Sequence, residues 1–350
     1  MAGFAIFGGA GMLRRRLLRC SISLCFALLA AVVWALRRYS DCPMNSRLSL
    51  STALLLTTAT LLWAANAIVG RLVHDLISPI ALNFFRWLIA FLLLLPLAGS
   101  VLRPSSPIWA QWKQYALLGL LGIGCYNALL YLALKTSAPL NVTLVGSSMP
   151  VWMLGIGYVF WGTPVSRRQL LGAALSIAGV LVVLSRGDIN VLRHLQLVPG
   201  DLFVLLATIG WAFYTWLLSK TSGPAEVKSN WAAFLLAQMA FGLVWCSLAT
   251  GTEYALGAFH FEWGWPLAAA LAFISVGPAI AAYRFWGVGV QRATPAIAGF
   301  FGNLIPLFTA LLSIPILGDV PRAYHAIAFA LIVGGIVVSS SGRKPEQKAA

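Results

Sequence analysis

Residues 138–150 read APLNVTLVGSSMP, and residues 294–306 read TPAIAGFFGNLIP. Each stretch has a proline at its second position, a glycine seven residues after that proline, and another proline eleven residues after it. The two stretches are 156 residues apart, and the same shift pairs Gly162 with Gly318. Matches at one fixed separation predict that the chain contains two copies of one structural unit.

The composition of the 350 residues places these units in a membrane. Hydrophobic residues make up 60% of the chain and charged residues 9%, and the mean hydropathy is +0.87. A soluble domain has about 25% charged residues, so this chain cannot cover a water-facing surface. The net charge of +15 is spread between apolar runs. This spread indicates a lipid bilayer as partner and no nucleic acid.

From Ser51 onward the sequence predicts ten transmembrane helices, because crossing a hydrocarbon core takes about 20 helical residues. Breakers such as Ser78-Pro79 and Gly223-Pro224 separate the apolar runs. Lipid-exposed backbone must satisfy its own hydrogen bonds, so the spans are helices. The predicted spans are 51–73, 79–98, 115–134, 139–161, 168–185, 200–219, 229–249, 266–290, 295–317 and 322–341.

Five helices in each half make the second half enter the membrane from the opposite side. A match of Leu62-Trp63-Ala64 with Gly210-Trp211-Ala212, at a shift of 148 residues, relates the first helices of the halves. The predicted fold is an all-α membrane protein with ten transmembrane helices in two inverted five-helix repeats, plus an extra N-terminal apolar segment. The predicted parts are a basic and apolar leader at 1–46, a first repeat at 47–186, a second repeat at 198–341 and a cytoplasmic tail at 342–350.

Loop charge predicts the orientation, because cytoplasmic loops are rich in lysine and arginine. With the segment before the first span in the cytoplasm, thirteen basic residues lie at cytoplasmic ends and five at the opposite ends. We therefore expect a multi-pass protein of the cell membrane, the inner membrane in bacteria, with both ends of the ten-helix body cytoplasmic. The five outer residues are Arg71, Lys135, Arg186, Arg193 and Arg322.

Residues 1–43 have three interpretations. Arginines at 14–16 and 19 precede an apolar run at 21–36, a pattern typical of a signal sequence or of a short additional span. The third interpretation is that translation starts at Met44. We favour the third, because the first span needs no help to insert.

Several stretches give the chain a family resemblance. They are WAANA at 63–67, Ser78-Pro79, NFFRW at 83–87, ALKTSA at 133–138 leading to Pro150, and Leu317-Gly318-Asp319 followed by Gly334-Gly335. In order and spacing they resemble the EamA-type transporters of the drug/metabolite transporter superfamily, over roughly residues 50–341. The resemblance implies secondary transport or export of metabolites without ATP, and no fixed substrate. Gly162-Thr163-Pro164 departs from the family, in which an acidic residue usually follows the glycine.

The sequence shows no pattern typical of catalysis or metal binding. There is no P-loop and no HExxH, and the five cysteines have no CxxC spacing. We expect no catalytic residue, no metal and no cofactor. All nine acidic residues lie outside the middle of the predicted spans. A relay of buried carboxylates for proton coupling is therefore not evident, and facilitated diffusion or exchange is the simpler mechanism.

Polar and aromatic residues inside the spans are the candidate substrate ligands. An unpaired amide in hydrocarbon costs several kcal/mol, so each must pair with another helix or face water. Their alternative role is interhelical hydrogen bonding or anchoring at the membrane interface. A pocket without acidic residues suits neutral, zwitterionic or anionic solutes. The candidates are Trp63, Asn66, Arg86, Tyr126, Asn127, Tyr131, Trp211, Tyr214, Tyr283 and Asn303.

Two further features concern helix shape and packing. Pro150 and Pro306 lie inside the fourth and ninth spans, where a proline bends a helix, and they are candidates for gating or for kinks that serve packing. Small residues four apart let helices approach closely. They predict a tight pair of the fifth and tenth spans, or a homodimer face, through Gly172, Ser176 and Gly179 in one and Ala326, Ala330 and Gly334 in the other.

These features favour a secondary transporter, an exporter or an exchanger, for small polar or amphipathic metabolites. Such a carrier works by alternating access around a central cavity. The runner-up is a nucleotide-sugar or sugar-phosphate antiporter of the same superfamily. A membrane-embedded enzyme is disfavoured because no catalytic acid, base or metal ligand is evident, and the inverted duplication argues against a purely structural protein.

Overall fold

The computed structural model describes residues 48–134, 136–137, 139–194, 196, 198–220, 227, 230–317 and 322–341. The expectations for the leader at 1–46 and for the tail at 342–350 lie outside these residues. The described part is helical, and its only strand-like pairing is an isolated antiparallel bridge between Ile77 and Phe261.

Six of the predicted spans are single helices: α1 (Leu50–Leu72), α2 (Pro79–Ala98), α5 (Arg167–Leu184), α6 (Pro199–Lys220), α7 (Trp231–Ala255) and α10 (Ala323–Ser340). The other four are composite. They are α3 (Trp112–Gly119, π-helical Leu120–Cys125, Tyr126–Leu134), α4 (Pro139–Gly146, Met149–Trp161), α8 (Trp265–Ile274, π-helical Ser275–Ala281, Ala282–Ala293) and α9 (Pro295–Gly302, Leu304–Leu317). Within the described residues, all of these except α3 are long and apolar enough to cross a membrane.

Local sequence sets several of the helix ends. The Ser49 side chain accepts the Thr52 backbone N–H and caps α1. Ser166 and Gln169 form a capping box at the start of α5, where each side chain accepts the backbone N–H of the other residue. Gly162 ends α4 at a φ of 60°, a left-handed conformation that glycine adopts without steric cost.

The contacts between helices repeat when the two halves are exchanged. Helix α6 packs against α3 and α4, and its counterpart α1 packs against α8 and α9. Helix α7 packs against α3, and α2 packs against α8. The pairs α2–α7, α4–α9 and α5–α10 join equivalent helices directly. This pattern is that of two inverted repeats around a pseudo-two-fold axis, as the sequence predicts.

The irregular segments also occur in equivalent places. The break in α4 falls at residues 147–148, and the break in α9 falls at Asn303, which is 156 residues after Ser147. The π-helical segments of α3 and α8 likewise coincide under that shift to within one residue. Breaks beside Pro150 and Pro306 are thus confirmed, and their role in gating stays a prediction.

Helices α5 and α10 pack tightly, as the sequence predicts. The predicted face of α5 forms this contact, but the predicted face of α10 does not. A Cβ added at Gly172 would lie 2.6 Å from the Gly335 carbonyl oxygen, and one at Gly179 would lie 2.7 Å from Ile332. The expected contact of this α10 face with α5 is wrong, and its use as a homodimer face stays a prediction. Ala326 and Ala330 are exposed, and Gly334 has nothing within 4 Å of an added Cβ. The buried face lies around the helix, at Ala328, Ile332, Gly335 and Ser339.

Candidate functional site

Aromatic rings from both repeats meet in the middle of the helix bundle. Trp63 of α1 contacts Trp211 of α6 edge to face, with 5.2 Å between ring centroids. Tyr283 of α8 lies 5.9 Å from Trp63 and 5.8 Å from Trp211. The connected rings, called the central aromatic cluster below, are Trp63, Trp87, Tyr126, Trp211, Tyr214, Tyr283 and Trp286.

The π-helical segments supply polar groups to this cluster. A π turn interrupts the regular hydrogen-bond ladder, so its carbonyls can accept bonds from other helices, and such turns are frequent at functional sites. The Tyr283 hydroxyl donates to the Gly122 carbonyl in α3. Trp63 Nε1 donates to the Pro278 carbonyl in α8 at 3.2 Å. Each half therefore provides one π-segment carbonyl that fixes a ring of the cluster.

Glycine at position 122 allows this arrangement. A Cβ added to Gly122 would lie 2.5 Å from the ring of Tyr214, well inside van der Waals contact. The Tyr214 hydroxyl donates to Oε1 of Gln238 at 3.1 Å, and the Gln238 amide donates in turn to the Phe234 carbonyl at 3.2 Å. The tyrosine is thus held between α3 and α7 by close packing and by a hydrogen bond.

A buried cation lies at the edge of the cluster. Arg86 of α2 is 5% exposed, and its guanidinium lies 5.2 Å from the ring centroid of Trp87. Its Nε is fully enclosed and has no hydrogen-bond partner. One turn earlier, Asn83 donates to Cys246 at 3.4 Å, while its Oδ1 has no partner.

A cavity of about 60 Å³ reaches from the cluster toward one end of the bundle. It is lined by Tyr214 and Tyr283 at the cluster and by Trp231, Arg284 and Gln291 further out, where α6, α7 and α8 converge. This volume holds only a few water molecules. Arg284 lies over the ring of Trp231 at 5.1 Å.

The structure brings five predicted residues into direct ring contact: Trp63, Tyr126, Trp211, Tyr214 and Tyr283. Arg86 lies beside them. Asn66 and Asn127 are half-buried, and neither side chain has a hydrogen bond within the described part of the chain. The Tyr131 side chain lies outside the described residues. That these residues bind a solute stays a prediction.

Asn303 is placed differently from the expectation. It is 1% exposed, and its amide nitrogen donates to the Ser176 hydroxyl at 2.9 Å, between α9 and α5. Asn303 occupies the break in α9, and its amide there is used for packing of the two helices. The expectation that it faces the central cavity is therefore corrected.

Other residues near the cluster were missed by reasoning from sequence. Trp87 and Trp286 are fully buried in it, and Asn83, Gln238 and Cys246 hydrogen-bond around it. Pro278 was the one feature of the sequence that could have indicated irregular backbone beside these residues. A proline inside the eighth span removes a regular backbone hydrogen bond and so marks an irregular turn.

The two carboxylates that are buried in the described part of the chain lie at helix ends. Glu253, at the end of α7, accepts from the Ser78 hydroxyl at 2.7 Å and from the Ala81 N–H at 3.1 Å. Asp201, at the start of α6, accepts from the Ser137 hydroxyl, from Asn141 at 3.1 Å and from the Val198 N–H at 2.8 Å. Both acids already have partners, so their role is to anchor connections between helices.

Comparison with known proteins identifies the family. Residues 50–185 and 198–341 each match the model of the EamA-like transporter family. The chain belongs to this family and is a membrane transporter of the drug/metabolite transporter superfamily. The two matched segments correspond to the two repeats of the structure.

The relatives agree with this assignment. An uncharacterized transporter of Archaeoglobus fulgidus is 26% identical over 85% of this chain and 99% of its own length. The aromatic amino acid exporter YddG of Ancylobacter novellus is 26% identical over 69% of this chain and 78% of its own. The uncharacterized inner membrane transporter YedA of Escherichia coli is 24% identical over 81% of this chain and 88% of its own length. A solved crystal structure with 23% identity shares the fold, with a TM-score of 0.64 over 83% of this chain and 97% of its own.

Proposed function

We propose that this protein exports or exchanges small amphipathic metabolites by alternating access around the central aromatic cluster. The contact between Trp63 and Trp211 carries the proposal. These residues are equivalent in the two repeats, and they meet at 5.2 Å. A site on the axis between inverted repeats can be presented to either side of the membrane when the repeats exchange conformations.

The composite helices support movement around this site. Breaks in α4 and α9 and π turns in α3 and α8 interrupt backbone hydrogen bonding at equivalent places in the two halves. Irregular backbone within a membrane is tolerated where it is buried in protein or lines a cavity. We infer that these four helices bend when the two ends of the bundle open and close.

The lining indicates the kind of solute. Flat aromatic surfaces with a few polar atoms favour a solute that has an apolar, preferably planar, part. One relative is named as an aromatic amino acid exporter, and aromatic amino acids have this chemistry. Sites for such ligands usually have volumes of about 300–1,000 Å³. The cavity of about 60 Å³ is smaller, so loading requires α6, α7 and α8 to separate at their ends.

We also propose an inner-membrane location with both ends of the ten-helix body in the cytoplasm. The excess of lysine and arginine at one set of helix ends supports this orientation. One relative is named as an inner membrane transporter.

Counterflow in proteoliposomes tests the proposal. Vesicles containing the purified chain are preloaded with unlabelled L-phenylalanine, and entry of labelled L-phenylalanine is followed. We expect entry well above that of protein-free vesicles, and a loss of at least tenfold for Trp211→Ala. The matched control is Trp265→Ala, because Trp265 is 88% exposed at the start of α8. A panel of apolar and aromatic amino acids and organic acids that shows no entry would contradict the proposal.

A further inference from the structure

We infer that Arg86 binds the carboxylate of the transported solute, so that the site selects organic acids with an apolar or aromatic body. This inference rests on the proposed function and names its substrate class. It follows from three features of Arg86: its burial, its lack of a hydrogen-bond or ion-pair partner among the described residues, and its position beside the central aromatic cluster.

Burial makes an isolated cation costly. Arg86 lies near the middle of α2, about 10 Å along the helix from Pro79, and is 5% exposed. Charged side chains inside membrane spans normally pair or face a water-filled cavity. The ring of Trp87 at 5.2 Å compensates only part of the desolvation.

The protein offers Arg86 no anion within the described residues. The ion pairs found there, His74–Asp75 and His260–Glu262, are exposed in connections between helices. The buried carboxylates Asp201 and Glu253 already accept hydrogen bonds from other groups.

The guanidinium retains free hydrogen-bonding capacity. Arg86 Nε is enclosed without an acceptor, and the terminal nitrogens of Arg86 have no hydrogen bond in the described structure either. The terminal nitrogens are not among the fully enclosed atoms. The neighbouring Oδ1 of Asn83 is also unpaired.

The chemistry of one arginine favours a carboxylate over a phosphate. A guanidinium presents a planar fork that pairs with the two oxygens of a carboxylate. A phosphate monoester carries close to two negative charges at neutral pH, and a single guanidinium would leave one of them unmatched.

The rest of the solute would lie against the aromatic rings. Trp87 lies under the guanidinium and contacts Tyr283 at 4.9 Å, and Tyr283 contacts both Trp63 and Trp211. A carboxylate at Arg86 therefore places an attached apolar group toward the rings that lie between the repeats.

The test compares two ligands of nearly the same size, 3-phenylpropionate and 3-phenylpropanamide, in which a charged carboxylate is replaced by a neutral amide. Binding to the purified full chain is measured by quenching of tryptophan fluorescence. A charge-assisted hydrogen bond contributes about 1.5–3 kcal/mol, so we expect the wild type to prefer the acid by about 10- to 100-fold. The Arg86→Gln variant should bind both ligands equally, and Arg86→Lys should keep part of the preference. Arg103→Gln is the control, because Arg103 is exposed outside the spans, and it should behave as the wild type.

The outcomes separate this inference from the proposed function. Equal binding of acid and amide to the wild type overturns the inference, even if Arg86→Gln does not fold. The inference is also overturned if folded Arg86→Gln still prefers the acid as the wild type does. It is overturned as well if the acid does not bind to the wild type. If counterflow still occurs in any of these cases, the transport function stands and only the role of Arg86 is wrong. If no solute is transported, both fail.

Discussion

The indole rings of Trp63 and Trp211 meet edge to face with their centroids 5.2 Å apart, and the two residues hold equivalent positions in the two repeats. Equivalent residues of inverted repeats can touch only near the axis that relates the repeats. The contact therefore locates that axis within the protein. A solute bound there meets one aromatic side chain from each half, at the place where a transporter of this architecture carries its substrate.

The hydrogen bond from Tyr283 to Gly122 should stabilise the junction of α3 and α8. Tyr283→Phe leaves the buried Gly122 carbonyl without this donor. We expect a loss of about 1–3 kcal/mol in stability, measured by thermal unfolding in detergent. Tyr254→Phe is the control, because Tyr254 is 72% exposed, and it should have little effect. Equal stability of the two variants would show that the carbonyl finds another partner.

Two asparagines should respond differently to the same substitution. Asn127→Leu should lower transport and leave the yield of folded protein near normal, because the amide of Asn127 has no partner among the described residues. Asn303→Leu should instead lower the folded yield, by an amount corresponding to about 0.6–2 kcal/mol, because it removes the bond to Ser176. Counterflow per folded molecule and size-exclusion chromatography distinguish the two effects. The reverse pattern would exchange their roles.

Adjacent glycines on α10 provide a test of helix packing. Gly335→Ala places a Cβ 2.6 Å from the Gly172 carbonyl oxygen, so we expect a loss of about 1–3 kcal/mol by thermal unfolding. Gly334→Ala meets nothing within 4 Å and should be neutral, or stabilise the helix by about 0.5–1 kcal/mol. If Gly334→Ala were the more damaging change, the helix would present its other face to α5.

The duplicated sequence predicted much of the fold. Residues separated by the repeat distance in the sequence hold equivalent positions in the structure. The sequence could therefore predict the ten helices, the breaks beside Pro150 and Pro306, and the equivalence of Trp63 with Trp211. The sequence determines less well which face of a helix packs against its neighbour. Small residues on α10 repeat on more than one face, and the choice of Gly335 over Gly334 depends on the partner helix.

The remaining site residues depend on irregular backbone. Each π turn rotates the following part of its helix relative to a regular α-helix, which changes the side chains that face inward. Trp286 follows the π turn of α8 and is fully buried in the cluster. It lies one helical turn after Tyr283, on the same face of the helix, so Tyr283 was a signal for it. Asn303 lies at the break in α9, and there its side chain hydrogen-bonds to Ser176 instead of facing the cavity as expected.

The proposed orientation can be tested with single cysteines in a cysteine-free background. A cysteine at Arg167 should be protected from an impermeant thiol reagent in intact cells, because that loop belongs to the basic, cytoplasmic side. A cysteine at Asp188 should react. Both positions are exposed in the structure, so a difference in labelling reports the side of the membrane. Labelling of the cysteine at position 167 without labelling of the one at position 188 would show the opposite orientation.

The most direct test of alternating access measures accessibility on the two sides of the central cluster. Gly70 lies beyond Trp63 on α1, and Gly287 lines the cavity on the opposite side of Tyr283. Neither glycine has a close neighbour at its Cβ position. Single cysteines at Gly70 and Gly287 are labelled with an impermeant reagent in proteoliposomes, with and without a transported solute. We predict that the solute changes the two labelling rates in opposite directions. Rates that rise together would indicate a continuous pore, and rates that do not change would contradict a solute-driven exchange around Trp63 and Trp211.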